Sequence, residues 1–404
     1  MRALYVSHTG MTEPLARSQV VPYLAGLARA GWSIDVVAFE PATASESEIH
    51  SITKILARDS VGYEWRRRSP SHSLTTKVTE SLRAFGSLIR HALMRRPKIV
   101  HARSYLPAAV GRAAASLIPG SRFIFDCRGL LGDEYVDFGH WKRDSFQYRI
   151  TKVSERYLFA RADGIVTLTD RLRRWLCDET GWVARHTPLE VIPCCVDLAR
   201  FRVDPAARLT ARQALRVGDR FVLAYAGNLG AWYCEEQMAK LFAAIRRRVN
   251  ACFTVFTRAD SQRLQKHVES LGISSNDLVI KSASPSEMGG LLAGADAAVS
   301  FAEPRFSKIA SSPVKVPEYL AVGLPVVVNR GVGDQDELID AHPDLLLDAA
   351  NMTSDDIDLA ASRLLRRGTD DALRGRAHEL AAQRFSLALG VSRYLRLYHR
   401  LAET

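Results

Sequence analysis

The sequence predicts an α/β protein built as two doubly wound units in series. Three observations lead there. Short apolar runs alternate with segments of helical periodicity as far as Pro193, and the same alternation restarts at Phe221 after a stretch punctuated by Asp204-Pro205 and Gly218-Asp219. A chain of 404 residues also exceeds one ordinary core and suits two domains of about 150–200 residues each. Strands that alternate with helices imply parallel sheets covered on both faces.

The first strand is Arg2–Ser7, followed by the loop His8-Thr9-Gly10-Met11-Thr12-Glu13. A helix is expected from Pro14, since proline suits a first turn, with Val20 or Val21, Leu24 and Leu27 at helical spacing and Gly31 as the stop. Ile34–Phe39 reads as the second strand. Val78, Leu82, Phe85, Ile89 and Leu93 then recur every three or four positions and predict an amphipathic helix. Strands follow at Ile99–Ala102, Arg122–Asp126, Ala162–Leu168 and Leu189–Pro193. Residues 196–220 read as a linker. The second unit offers strands at Phe221–Gly227, Phe253–Phe256, Leu278–Ile280, Ala297–Ser300, Pro325–Val328 and Leu345–Leu347, and is helical from about residue 352 onward. Ligands of such sheets gather beyond the carboxyl ends of the strands.

Composition narrows the function classes. Hydrophobic content of 47% and charged content of 25% belong to a folded globular chain. No apolar run reaches the ~18–20 residues that span a bilayer, and Met1 leads directly into a strand pattern, so a cytoplasmic protein without a signal peptide is expected. The six cysteines show no Cys-x-x-Cys spacing and no histidine at zinc-site spacing, which leaves free thiols and no metal. The formal net charge is +11. It concentrates in Arg66, Arg67, Arg68, Lys77, Arg83, Arg90, Arg95, Arg96 and Lys98, against only Glu64 and Glu80. Such a stretch is either a solvated surface or the footprint of an anionic partner, for which Trp65 beside three arginines suggests a membrane face.

The most informative segment is Ser311-Ser312-Pro313-Val314-Lys315-Val316-Pro317-Glu318-Tyr319, which continues through Gly323-Leu324-Pro325 into a buried strand. A helix opening at Pro313 presents free backbone N–H groups, the Ser311 and Ser312 hydroxyls and the Lys315 ammonium, a set suited to a phosphate. Glu318, less than one turn on, is placed to accept hydrogen bonds from ribose hydroxyls. An ordinary capped helix with a surface Lys and Glu is the alternative.

This segment resembles the donor-binding signature of the retaining glycosyltransferase family 4, in the subgroup that carries Ser-Ser-Pro-x-Lys-x-x-Glu-Tyr. The resemblance implies the GT-B fold, two Rossmann-like domains facing an interdomain cleft: an acceptor-side domain over residues 1–200, a nucleotide-sugar domain over 201–380, and a helix over 381–404 that crosses back to the first domain. Glu318 matches the second of the family's two glutamates; the first falls on Ala310. His8, Thr9 and Gly10 match the loop that approaches the donor phosphates. Lys98-Ile99-Val100-His101-Ala102-Arg103 resembles a family strand end in which Arg103 replaces a second histidine, with His101 as a donor-side contact. Arg128, after Asp126, stands where the family usually has a histidine near the transferred sugar; Asp133 and Glu134 follow as groups for acceptor or sugar hydroxyls. Gly227 and Asn228 match the first glycine turn of the second domain, Arg258 is placed for the diphosphate, and Ser284 lies in the region around the base. Arg103, Asp126, Asp133 and Glu134 are thus the acceptor-side set.

The implied reaction moves a sugar from a nucleoside diphosphate sugar to a hydroxyl of a glycan or lipid-linked acceptor, with retention, in cell-surface polysaccharide or glycolipid biosynthesis. His101, Arg128, Arg258 and Lys315 are the catalytic set, with Arg258 and Lys315 stabilising charge on the leaving phosphate. No metal is expected, no cofactor is implied, and UDP stands slightly ahead of GDP as the carrier. The expected partners are the donor, the acceptor and an anionic inner membrane face, with no nucleic acid. A GT-B sugar-nucleotide epimerase and a non-catalytic nucleotide or glycan binder are the alternatives. The absence of Gly-x-Gly-x-x-Gly after the first strand argues against a dehydrogenase.

Overall fold

The computed structural model describes residues 1–68, 86, 89–367 and 370–403. Val78, Leu82 and Phe85 of the expected amphipathic helix, and Lys77, Glu80 and Arg83 of the basic stretch, lie outside the described residues. The chain divides into two compact units, Met1–Pro193 with Leu387–Thr404, and Cys194–Ser386.

The first unit holds a seven-stranded sheet: β1 (Arg2–Ser7), β2 (Ser33–Glu40), β3 (Gly62–Arg67), β4 (Ile99–Arg103), β5 (Arg122–Asp126), β6 (Gly164–Thr167) and β7 (Leu189–Val191), in spatial order β3-β2-β1-β4-β5-β6-β7. Every pairing is parallel. The second unit holds six strands: β8 (Phe221–Ala226), β9 (Ala251–Phe256), β10 (Leu278–Lys281), β11 (Ala297–Ser300), β12 (Val326–Val328) and β13 (Leu346–Asp348), ordered β10-β9-β8-β11-β12-β13 and again all parallel. Both orders are the doubly wound 3-2-1-4-5-6 pattern, whose switch point lies between β1 and β4 in one sheet and between β8 and β11 in the other.

Burial on both faces explains why these strands are uninterrupted apolar runs. In β8, Val222, Ala224 and Ala226 join one core and Leu223 and Tyr225 the opposite one. The same alternation splits Val326 and Val328 from Val327 in β12. Successive side chains leave a strand on opposite faces, so a sheet sandwiched by helices needs apolar residues at every position.

Several expectations are corrected. The helix expected from Pro14 is two helices, Pro14–Gln19 and Val21–Arg29, separated at Val20. Pro22 has no N–H to continue the first helix and favours the first turn of a new one. The expected linker 196–220 contains the helix Pro205–Leu215: Asp204 caps it by accepting a hydrogen bond from the Ala207 N–H, and Pro205 occupies its first turn. Leu93, expected on a buried face, is exposed, and Ala92 takes the inward position. β3 had no expectation; as an edge strand of sequence Gly-Tyr-Glu-Trp-Arg-Arg it lacks a buried run. The helix Leu387–Ala402 packs on the first unit, against the Val21–Arg29 helix and β7.

Candidate functional site

In the first unit the carboxyl ends of β4 and β5 carry a buried polar network. Asp126 is fully buried; its Oδ2 accepts from Arg128 Nη2 at 2.6 Å, the Tyr394 hydroxyl at 3.2 Å and His101 Nε2 at 3.2 Å, with Arg103 Nη1 at 3.8 Å. His101 Nδ1 lies 2.8 Å from the Tyr398 hydroxyl. A neutral imidazole protonated on Nε2 satisfies both contacts. Burial would raise the Asp126 carboxyl, but Arg128, His101 and Arg103 outweigh it and hold the group well below the usual carboxylate range. Burial holds His101 below its ordinary value despite the Asp126 hydrogen bond that pulls it up. Tyr394 and Tyr398, from the Leu387–Ala402 helix, add to the network, while Asp126 Oδ1, Arg128 Nε and Arg103 Nη1 stay buried without a hydrogen-bond partner among the described residues. His101 has no ring nitrogen left over for a donor.

Asp133 is also committed. It is buried, accepts from Lys152 Nζ at 2.7 Å and from the Tyr148 hydroxyl at 3.0 Å, and shares Lys152 with the buried Glu155 at 2.5 Å. Glu134 is half-buried and backs onto Gly129.

The loop after β1 is organised by an acid from β2. Glu40 is fully buried; its Oε1 takes the Met11 N–H at 2.6 Å, both oxygens take the Thr12 N–H at 3.3 Å, and it also accepts from the Thr12 and Tyr63 hydroxyls. The Gly10 N–H goes to Glu13 Oε1 at 2.8 Å. A Cβ on Gly10 would stand 2.5 Å from Glu40 Oε2, so glycine serves the approach of this carboxylate. Of the three loop residues that the resemblance offered to the donor phosphates, Gly10 gives its N–H to Glu13, while Glu40 holds the next two amides, of Met11 and Thr12. Thr9 turns back on Ser7, and exposed His8 stacks on Phe39 with ring centroids 6.1 Å apart.

The second unit is finished differently. At the carboxyl end of β8, Gly227 adopts a φ of 138° and faces Lys315; a Cβ there would meet Nζ at 3.1 Å. Lys315 Nζ donates to the Tyr225 hydroxyl at 2.8 Å and lies 3.9 Å from the Tyr225 ring centroid and 4.6 Å from that of Tyr233. The Tyr225 hydroxyl in turn donates to the Asn228 carbonyl. Lys315 and Glu318 both keep part of their surface open to solvent, yet protein atoms crowd them. Burial pushes the Lys315 ammonium down to about 7, with Glu318 offsetting only part of it. Burial likewise pushes the Glu318 carboxyl up to about 7, against the pull of Arg200 and Lys315. Groups moved this far in opposite directions, at a switch point, make this the candidate ligand site. Arg258, just beyond β9, is exposed and pairs with no carboxylate among the described residues.

Two details depart from the sequence reading. The helix opens at Lys315, not at Pro313: Ser311 is extended and Val314 is the residue that leads into the helix. Ser312 Oγ accepts from the Cys194 N–H at 3.1 Å. Ser284 works as a local cap, accepting nothing from a distance and bonding Glu287 through both its N–H and its hydroxyl. The sequence reading missed Tyr225, Tyr233 and Glu40; the alternation along β8 does place Tyr225 at the sheet's carboxyl end, whereas Glu40 carried no local signal. Ala310, at the position of the family's first glutamate, is fully buried.

Comparison with known proteins agrees with this architecture. Residues 16–195 match the family model of the glycosyl transferase 4-like domain. No curated protein matches the chain. Among solved structures, a glycosyltransferase from Rickettsia africae ESF-5 is similar with a TM-score of 0.74 and 13% identity, over 99% of this chain and 98% of that one. Sucrose-phosphate synthase from Thermosynechococcus elongatus gives 0.73 and 15%, over 99% and 98%. HepE from Anabaena, solved with UDP and glucose, gives 0.72 and 16%, over 99% and 100%. At such identities the likeness is one of fold: along its length the chain has the two Rossmann-like domains of the GT-B fold.

Proposed function

We propose that the protein is a retaining glycosyltransferase that moves a sugar from a nucleoside diphosphate sugar to a hydroxyl of a glycan or lipid-linked acceptor, in cell-surface polysaccharide or glycolipid biosynthesis. The observation that carries this reading is Lys315, held over the Gly227 turn by Tyr225 and Tyr233 at the switch point of the second sheet. A diphosphate seated on that glycine turn would return Lys315 to its charged form, and the ammonium would then meet the negative charge that grows on the leaving phosphate. Arg258 supplies a second cation from the neighbouring strand end, and Glu318 accepts from the donor ribose. UDP is the expected carrier, a choice supported by the UDP bound to HepE. An anionic membrane face is the expected partner on the acceptor side; no described helix is long and apolar enough to cross a membrane.

Calorimetric titration with UDP and GDP tests the site. Wild-type protein binds one of them, and Lys315→Ala and Glu318→Ala each weaken it by roughly 10–100-fold, the range of a lost charge-assisted hydrogen bond. Unaltered affinity in both variants would sink the assignment.

A further inference from the structure

The helix Phe146–Arg161 of the first unit is apolar on two opposite sides. Leu158 and Phe159 face inward and are buried. Phe146, Ile150, Val153 and Tyr157 face outward and are 75%, 52%, 69% and 53% exposed. Their spacing of four, three and four residues sets them within an arc of roughly 60° along the helix, opposite the buried face. Single exposed apolar side chains are ordinary; a stripe along the whole helix is not.

The stripe is bordered by positive charge. Lys142, Arg143, Arg149, Arg156 and Arg161 are exposed, and Asp144 is the one exposed acid between residues 142 and 161. None of these five cations pairs with a carboxylate among the described residues. The arginines in which the sequence reading sought a membrane contact differ: Arg66 pairs with Glu64, Arg67 with Glu46 and Arg68 with Glu13, and the Arg67 guanidinium lies 5.6 Å from the Trp65 ring centroid.

We propose that the outward face of Phe146–Arg161 docks on an anionic lipid bilayer, with its four apolar side chains in the interface and its arginines among the headgroups. Aromatic and aliphatic side chains between arginines form the pattern of a helix that lies in a membrane surface. A second copy of the chain is disfavoured as the occupant, because a two-fold contact through this stripe would set one row of cations against its duplicate. The inner side of the same helix holds Asp133 through Tyr148 and Lys152, in the segment that follows β5. Docking therefore brings the acceptor-side loops to the lipid surface. This deepens the proposed function and rests on that reading only in taking the acceptor to be lipid-linked.

Flotation of the whole protein with vesicles tests the proposal. Phosphatidylcholine vesicles alone should leave it in the dense fractions, and equal parts of phosphatidylcholine and phosphatidylglycerol should carry it upward. The triple variant Phe146→Ser, Ile150→Ser, Val153→Ser should lower the vesicle partition coefficient by at least about tenfold, since the free energy of interfacial binding scales with buried apolar area. Arg149→Glu with Arg156→Glu should remove the preference for anionic vesicles. UDP binding and melting temperature are followed on the same preparations, so that loss of docking with UDP binding intact is separated from failure of the donor site. Equal flotation of wild type and triple variant, or none by wild type, overturns the proposal. So does a wild-type dimer in sedimentation that the triple variant abolishes, because the stripe then belongs to a second copy.

Discussion

At the carboxyl ends of β4 and β5, Asp126 gathers Arg128, His101 and Tyr394 into a buried network; at the carboxyl end of β8, Lys315 is held by neutral rings and one hydroxyl. The two sheets share one strand order, and the same topological position has been put to two uses. In the first unit one buried carboxylate faces two guanidiniums, so the charged groups are paired with each other and one positive charge is left over. In the second, an ammonium and a carboxyl are crowded by protein and not paired into a compact ion pair, so their charge states are left for a ligand to settle. The contrast is between charges that are paired inside the protein and charges that are crowded without a close partner.

Removing the centre of the first network should have the largest effect. Asp126→Ala leaves the Arg128 guanidinium without its carboxylate in a buried setting, and such a loss costs about 3–5 kcal/mol. Chemical denaturation should report it while UDP affinity stays within about twofold once the variant is folded. Because the Asp126 carboxyl titrates below its ordinary 3.8 in the folded protein, its contribution is present above about pH 4 and is lost as pH falls further. A wild-type acid transition unshifted in Asp126→Asn would break the comparison.

Glu40 comes next. Glu40→Ala orphans the Met11 and Thr12 amides and should cost about 1–3 kcal/mol. Hydrogen exchange at these two amides should accelerate before any global change. Protection equal to wild type would show that the loop after β1 holds itself.

The smallest effect should be the most diagnostic. Lys315 titrates near 7 in the free protein, so above that pH a bound diphosphate must restore its proton. Glu318 becomes charged over the same range, which adds repulsion. Affinity for a UDP-sugar, whose own diphosphate does not titrate there, should be greatest below about pH 7. It should fall by up to tenfold per unit above that. Calorimetry in two buffers of different ionisation enthalpy should detect proton uptake at pH 8, and Lys315→Ala should abolish it. A flat profile from pH 6 to 9 would show that Lys315 keeps its proton in the free protein, and the affinity of Lys315→Ala would then decide whether it meets the diphosphate.

Much of this architecture was legible in residue order. Parallel strands buried on both faces announce themselves as apolar runs, and Lys315 and Glu318 share one turn of a recognisable segment. What escaped the reading depended on partners remote in sequence or on ambiguous periodicity. Ser312 is bound by an amide 118 positions away, and Glu40 by a loop 28 and 29 positions earlier. β3 is an edge strand with polar side chains. The Phe146–Arg161 helix is apolar on two faces, so it lacks the single stripe by which an amphipathic helix is read.

The pairing of His101 with Tyr398, 297 residues apart, also sets an order of assembly. The second unit is one continuous stretch, Cys194–Ser386, inserted between the two parts of the first. At translation rates of about 5–20 residues per second, the partner of His101 is made roughly 15–60 s after it. The second sheet is made within that interval, its last strand ending at Asp348, and is complete before Tyr394 and Tyr398 arrive to enclose Asp126 and His101 of the first. The first unit, though earlier on the ribosome, is thus expected to be the later one to reach full stability.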